Sequence, residues 1–247
     1  VYDINRFNIQ SIMKNIQVPE RIAKVIARGS KFSRRDAEKL IADGRVKIDN
    51  QIILQPNVNV TSSNNIKLDN KSINFKPELE LYKYYKPRGV LVTHHDPENR
   101  KTIFDDLPKK FEKMISIGRL DYDSEGLLLL TNNGDIKRTM ELPNNNWKRT
   151  YRVRVHGRVE DDIILKFKKG LKIDRMRYKP ILANIDNTSN SYTWLTMTLT
   201  EGKNREIRNI FEAFGMIVTR LIRVSYGPYK LNKLNKSEFE KLKYIEK

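Results

Sequence analysis

The chain has 247 residues, more than one average domain and fewer than two. Lys and Arg number 48 against 30 Asp and Glu, a formal charge of +18 that calls for a polyanionic partner, while 38% hydrophobic residues and eleven Tyr are too many for a solvated coil. With no Cys there are no disulfides, thiolate zinc sites or thiolate nucleophiles; three His leave little for any other metal centre, and no run of about eighteen apolar residues is present to span a membrane.

Residues 1–18 read as a tail without a signal-type apolar core. From Pro19 the pattern sharpens. Ile22, Val25 and Ile26 fall at helical spacing between Glu20 and Arg28, and Gly29 is placed to end the helix. Ser33 reads as an N-cap, with Asp36 three residues on, for a second helix through Asp43 that buries Ala37, Leu40 and Ile41 and closes at Gly44. In RVKIDNQII, Val46 and Ile48 alternate with polar residues and Asp49-Asn50 offers a turn, which predicts a hairpin. A small helix-helix-hairpin domain over 19–78 results, in which the Asn-, Ser- and Lys-rich stretch 61–78 reads as strand remnants running into a linker.

Between Arg21 and Lys47, nine basic residues stand against three acidic ones. A compact basic surface suits the phosphates of a folded RNA, with Arg21, Lys31, Arg34, Arg35 and Arg45 as candidate ligands. An ordinary solvated helix face is the competing reading.

A second region starts near Leu79. Apolar runs at 89–92, 126–130, 151–155 and 191–199 suggest strands. Leu127–Leu130 is apolar on both faces, as in a central strand, whereas Tyr151, Val153 and Val155 alternate with Arg152, Arg154 and His156, as in a half-exposed one. Residues 161–169 predict a short helix with Ile163, Ile164 and Phe167 apolar. Asn204 is placed to cap another, whose Ile207, Ile210, Phe211 and Phe214 form one face and which Gly215 ends. Strands and helices mix without strict alternation, so the class is α+β.

The stretch GRLDYDSEGLLLLTNNGD, from Gly118 to Asp135, is a polar loop feeding a buried strand. Its D-x-D-x-E-G start is that of a calcium loop, but Asn132 stands where the closing Glu belongs and Leu127–Leu130 fill positions that must be polar, which excludes that reading. By spacing alone, Asp121 caps a turn, as lone loop Asp residues do.

Several of these motifs carry resemblances. PERIAKVIARGSKFSRRDAEKLIADGRVKIDNQII resembles an S4-type RNA-binding domain. GRLDYDSEGLLLLTNNGD is similar to the signature of the RsuA/RluB-type ribosomal RNA pseudouridine synthases. YYKPRGVLVT, KRTYRVRVHG, EGKNREIRNIFEAFG and RLIRVSYGP are similar to further motifs of that family, so the resemblance covers roughly residues 19–235. It implies a small α/β S4 domain followed, over 79–247, by an α+β catalytic domain with a large, mostly antiparallel mixed sheet flanked by helices and loops. The implied reaction turns a uridine of ribosomal RNA, flipped out of its helix, into pseudouridine without metal or organic cofactor. VRVHGRVEDDIILKFKKGLKIDRMRYKP looks closer to the large-subunit (23S) branch than to the small-subunit one.

By the same resemblance Asp121 is the catalytic carboxylate and Arg208 the cation that keeps it ionised in a closed base pocket, where desolvation alone would protonate it. Tyr151 stacks on the uracil, and Arg119 contacts the RNA at the emptied position. Lys86 and Arg205 join them as RNA contacts. Arg149 stands where the family often has Lys, and Asp123-Ser124 where it has small polar residues. The implied partner is ribosomal RNA or a pre-ribosomal particle, met by a cytoplasmic monomer away from membranes. A non-catalytic S4 assembly factor accounts equally well for the first domain and the charge.

Overall fold

In the computed structural model, which describes residues 19–75 and 77–245, the chain divides into two units, Val1–Glu78 and Leu79–Lys247. The expected tail over 1–18 lies outside the described residues.

The first unit is built on two amphipathic helices. Helix α1 (Ile22–Gly29) buries Ile22, Ala23, Val25 and Ile26 as a single stripe. It begins two residues later than its apolar pattern suggests, because Glu20 and Arg21 form strand β1 (Glu20–Arg21). The Glu20 carboxylate faces back along the helix, where hydrogen bonds from Arg28, with Lys24 beside it at 2.8 Å, hold it down to about 2. Helix α2 (Arg34–Ala42) opens with a full capping box: the Ser33 hydroxyl accepts the Asp36 amide and the Asp36 carboxylate accepts the Ser33 amide.

Strands β2 (Val46–Ile48) and β3 (Gln51–Ile53) form the predicted hairpin, with Asp49 and Asn50 at φ of 49° and 70°. That left-handed pair is what a two-residue turn between twisted strands requires. Strands β4 (Asn59–Val60), β5 (Ile66–Leu68) and β6 (Lys71–Ser72) follow; β1 pairs β4, and the sheet runs β3-β2-β5-β6. The strand remnants read in 61–78 are thus β5 and β6, and β5 pairs directly with β2. Val46, Val60, Ile66 and Leu68 close the core against the two helices.

The second unit is organised by a nine-stranded mixed sheet. Its elements in chain order are β7 (Leu81–Lys86), β8 (Ile115–Ile117), β9 (Glu125–Thr131), α3 (Gly134–Glu141), β10 (Arg149–His156), α4 (Asp161–Lys169), the small hairpin β11 (Leu171–Ile173) and β12 (Met176–Tyr178), β13 (Leu182–Thr188), β14 (Tyr192–Leu199), α5 (Glu206–Ala213), β15 (Val218–Tyr226), β16 (Tyr229–Lys230) and β17 (Phe239–Lys241). The sheet order is β13-β14-β10-β15-β9-β7-β17, with β8 added on β9 and β16 on β15. The β15–β9 contact is parallel and the other strand pairings of the sheet are antiparallel.

Strand β9 is buried along its whole length. Leu127 and Leu129 pack with Ile117, Met140, Trp147 and Tyr226 on one side; Leu128 and Leu130 pack with Tyr82, Tyr84 and Phe111 on the other. A third core lies under the far half of the sheet, where Val153, Val155, Leu195, Met197 and Leu221 meet Ile163 and Phe167 of α4 and Ile207, Ile210 and Phe211 of α5. Among the described residues no helix is long and apolar enough to cross a membrane.

Two local expectations need correction. Residues 89–92 form no strand: β7 stops at Lys86, Pro87 lacks the amide to continue it, and Gly89 turns the chain at φ 78°, leaving Leu91 a single bridge to Thr102. Asn204 does not cap α5. Arg205 holds the N-cap position in a left-handed conformation (φ 48°), and the Glu206 carboxylate takes the Lys203 amide at 2.9 Å.

The parallel β15–β9 contact depends on one residue. Gly126 sits at φ 108° opposite Arg223, and a Cβ there would lie 2.4 Å from the Arg223 carbonyl oxygen, a backbone atom that cannot step aside. Gly126→Ala should destabilise the second unit by about 3 kcal/mol or more, at or above the top of the usual range for single substitutions. Urea unfolding of the two proteins measures this; a loss below about 1 kcal/mol would show that the two strands separate without penalty.

Candidate active site

The chain leaves β8 at Ile117, crosses Gly118–Ser124 and enters the buried strand β9. Two features clasp this loop. The Gly89 amide donates to the Tyr122 carbonyl at 2.8 Å. The Lys86 ammonium, at the end of β7, donates to the carbonyls of Ser124 (2.8 Å) and Pro87 (3.0 Å), with that of Tyr122 at 3.5 Å. Lys86 is 0% exposed, and burial pulls it down to about 8 against the attraction of Asp121, Asp123 and Glu125. Its donors are taken up inside the protein, so the expectation that Lys86 contacts RNA is corrected: it fastens the loop from beneath.

The three carboxylates of the loop diverge. Asp123 lies 3.1 Å from Arg208 and 3.7 Å from Arg205. Glu125, 1% exposed, sits between Arg220 at 2.5 Å and Lys236 at 3.2 Å. Among the described residues neither a hydrogen bond nor an ion pair reaches the Asp121 carboxylate; only its backbone oxygen is engaged, by the Ser124 amide at 3.0 Å. The turn is therefore closed by backbone, and the side chain caps nothing.

Asp121 instead lines an open cleft of about 450 Å³, together with Arg119, Tyr151, Arg205 and Arg223. Tyr151 is half-buried on β10, on the face it shares with Val153 and Val155, so one ring borders the cleft and covers the core behind it. Arg119 is exposed at the rim; Asp123 and Glu125, its obvious acidic neighbours in sequence, are held by other cations. Arg205 is exposed as well.

Arg208 is placed differently from expectation. Its guanidinium donates to the Val218 carbonyl at 2.8 Å and to the Asp123 carbonyl at 3.2 Å, and its ion-pair partner is the Asp123 carboxylate, not Asp121. Burial draws its pKa below the usual arginine value, with Asp123 as the main opposing charge and Asp121 a lesser one. Arg208 therefore orients the loop through Asp123 and acts on Asp121 only across space. An aspartate two residues along the loop meets the helix first, which no spacing rule reveals.

Three further groups at the cleft, Arg223, Glu201 and Glu206, escaped the sequence reading, and Arg149 was noted there only as standing where the family often has Lys. Arg149 spans Tyr226, with its guanidinium 4.7 Å over the ring and 2.8 Å from the hydroxyl. Arg223 is 2% exposed; its Nε donates to the Leu127 carbonyl at 2.7 Å and its Nη2 is shielded without a partner. The available signal was its position two residues after Leu221, which puts it on the inward face of β15. Glu201 and Glu206 are both buried beside Lys203. Burial and the Glu201 charge push Glu206 up to about 7; against burial, the Lys203 ammonium at 2.7 Å and the Lys179 amide hold Glu201 below its ordinary value.

In the first unit, Arg21, Lys31, Arg34, Arg35 and Arg45 are all exposed. Arg45 is occupied by Asp69 through two hydrogen bonds of 2.8 and 2.6 Å, and Arg21 by the Asn57 carbonyl. Lys31, Arg34 and Arg35 cluster where the chain enters α2, with Arg34 4.0 Å from Glu38 and Lys31 above the Phe32 ring.

Residues 80–213 match the family described as RNA pseudouridylate synthase, and residues 20–66 match the S4 domain. A Rickettsia felis protein called an uncharacterized RNA pseudouridine synthase is 46% identical over 231 residues, spanning 92% of this chain and 100% of that protein. The ribosomal large subunit pseudouridine synthase B of Yersinia pestis is 38% identical over 220 residues, spanning 87% of this chain and 69% of that protein. A crystal structure of a pseudouridylate synthase superposes with a TM-score of 0.65 at 25% identity, covering 90% of this chain and 96% of the other.

The acidic pair makes stability depend on pH. Glu206 binds its proton more tightly folded than unfolded, so the second unit should lose stability as pH rises from the ordinary value of 4.5 through about 7. Glu206→Gln removes this contribution. Melting temperatures at about pH 5 and about pH 8 should lie closer together in the variant, by a few degrees. An unchanged gap would mean that Glu206 is ionised throughout.

Proposed function

This chain belongs to the RNA pseudouridine synthase family, and within it we propose that it isomerises a uridine of large-subunit ribosomal RNA with Asp121 as the catalytic carboxylate. The observation that carries the assignment is the unpaired Asp121 side chain lining the cleft, in a loop whose other two acids are neutralised. A carboxylate that faces a cleft unneutralised, in a protein with cations to spare, marks a functional group rather than a structural one. A protein that only held RNA would gain nothing from an acid facing a polyanion.

The reaction is an isomerisation. The bond between N1 of uracil and C1′ of ribose breaks, the base turns, C5 bonds to C1′, the C5 proton leaves and N1 gains one. Nothing is oxidised or reduced, so a carboxylate acting on the ribose or as a base suffices. Tyr151 offers a ring face for the extruded base, a state that costs a few kcal/mol of lost stacking. Arg119 and Arg205, exposed at the cleft, are suited to the phosphates on either side of it. Arg208 and Lys86 keep the loop in place, one through Asp123 and one through its carbonyls.

The S4 domain supplies docking through Lys31, Arg34 and Arg35, which contact phosphate rather than read sequence. The large-subunit substrate, naked or in a pre-ribosomal particle, is supported by the likeness to the Yersinia pestis protein and its printed name. Pseudouridine mapping in ribosomal RNA from cells with and without the protein should show one large-subunit site lost. Asp121→Asn should lower turnover by at least about 10³-fold and leave RNA affinity within about twofold. Persistent pseudouridine formation by that variant would remove Asp121 from the chemistry; loss of a small-subunit site instead would reassign the substrate.

A further inference from the structure

Five cations are buried in the second unit among the described residues: Lys83, Lys86, Arg149, Arg208 and Arg223. Four have strong acceptors. Lys83 pairs with Glu240 at 2.9 Å, Lys86 has its carbonyls, Arg149 the Tyr226 hydroxyl, and Arg208 a carbonyl and a carboxylate. Arg223 differs. Beyond its Nε bond to Leu127 and a cation–π contact with Tyr226 at 5.2 Å, neither Nη nitrogen has a hydrogen-bond partner among the described residues, and no carboxylate pairs with it. A guanidinium so shielded and so poorly satisfied is expensive, and it persists where a ligand brings the missing acceptors.

Its position says which part of the ligand. Arg223 lines the same cleft as Asp121 and is the cross-strand partner of Tyr151, so the two side chains stand next to each other on one face of the sheet. Phosphates of an RNA strand stay near the exposed rim cations, while the extruded base goes deepest. The buried guanidinium therefore meets the edge of the base.

On the reading of this cleft as the uridine site, we infer that Arg223 reads that base, donating from its free Nη1 to a uracil carbonyl both before and after the ring turns. A guanidinium has donors and no acceptor. Uracil carries carbonyls at C2 and C4 with N3–H between them. For C5 to take the place of N1, the ring turns about the axis through C6 and N3, and that turn exchanges the two carbonyls. A donor-only group thus finds an acceptor in the starting orientation and in the product orientation. Cytosine has an amino group at C4, so one of its two orientations sets donor against donor. Arg223 in this way selects uridine and keeps hold of the ring through the turn.

The test uses the full-length protein and a large-subunit ribosomal RNA transcript. Once the uridine modified by the wild type is mapped, transcripts are made with cytidine, 2-thiouridine or 4-thiouridine at that position. The wild type should favour the uridine over the cytidine transcript by at least about tenfold in competition binding, and Arg223→Met should bring the two within about twofold while slowing single turnover by about 100-fold. Sulfur is a weaker acceptor than oxygen, so each thio transcript should slow the wild type by about five- to tenfold. The thio series needs no variant and decides the matter if Arg223→Met does not fold. Discrimination retained by Arg223→Met, or full rates on both thio transcripts, overturns the role of Arg223 while leaving the uridine-isomerising cleft intact. Failure of the wild type to form pseudouridine in this RNA, both as the free transcript and assembled into a pre-ribosomal particle, overturns the functional reading, and this inference with it.

Discussion

The cleft depends on how charge is distributed along one loop. Asp121, Asp123 and Glu125 lie within five residues, and a protein of net charge +18 has cations enough for all of them. Asp123 takes Arg208 and Arg205; Glu125 takes Arg220 and Lys236; Lys86 gathers the loop carbonyls from below. These contacts come from β7, α5, β15 and the segment before β17, so the loop is tied to four parts of the unit at once. Asp121 is left over because its two neighbours fasten the backbone that carries it. A functional group held by rigid surroundings needs no rearrangement to meet its substrate.

The sheet beneath explains why a cleft exists at all. β9 is covered on both faces by apolar side chains and brought against β15 by a parallel contact that only glycine permits. On the far side, β10 and β14 form a core with α4 and α5. Arg149, Tyr151, Leu221 and Arg223 lie where the inward faces of β10 and β15 meet the cleft, at the border of that core. Charged and aromatic groups are thus held by strands, the stiffest elements available, rather than by loops.

Polar groups inside proteins are normally satisfied, and most of this protein obeys that rule. The departures gather at the cleft, where Ser124, Glu206 and the idle guanidinium of Arg223 are shielded without full partners and Glu201 and Glu206 contend over a proton, while Asp121 faces the same cleft with its carboxylate unpaired. Two of these are complementary to parts of one nucleotide, an anion for the ribose and donors for the base. The exposed arginines at the same cleft add the charge that its phosphates need. The frustration is local, and it coincides with the place where a substrate would relieve it.

Short-range chemistry was legible in the chain itself. Ser33 with Asp36, Asp49-Asn50 and the apolar run through Leu127–Leu130 each dictate a cap, a turn and a buried strand, because the interacting groups lie within a few residues of one another. The alternation of Tyr151, Val153 and Val155 told their common face for the same reason. Long-range pairing was not legible. Lys86 resembles a surface lysine until the loop 36 to 38 residues later is folded over it, and Arg208 meets Asp123 rather than Asp121 across 85 residues. The amino-acid order set which elements form and which residue types are available. Only the packed sheet decided which carboxylate would be left without a cation and which guanidinium without an acceptor, since electrostatic partners are chosen by distance in space, and distance in space is a property of the whole fold.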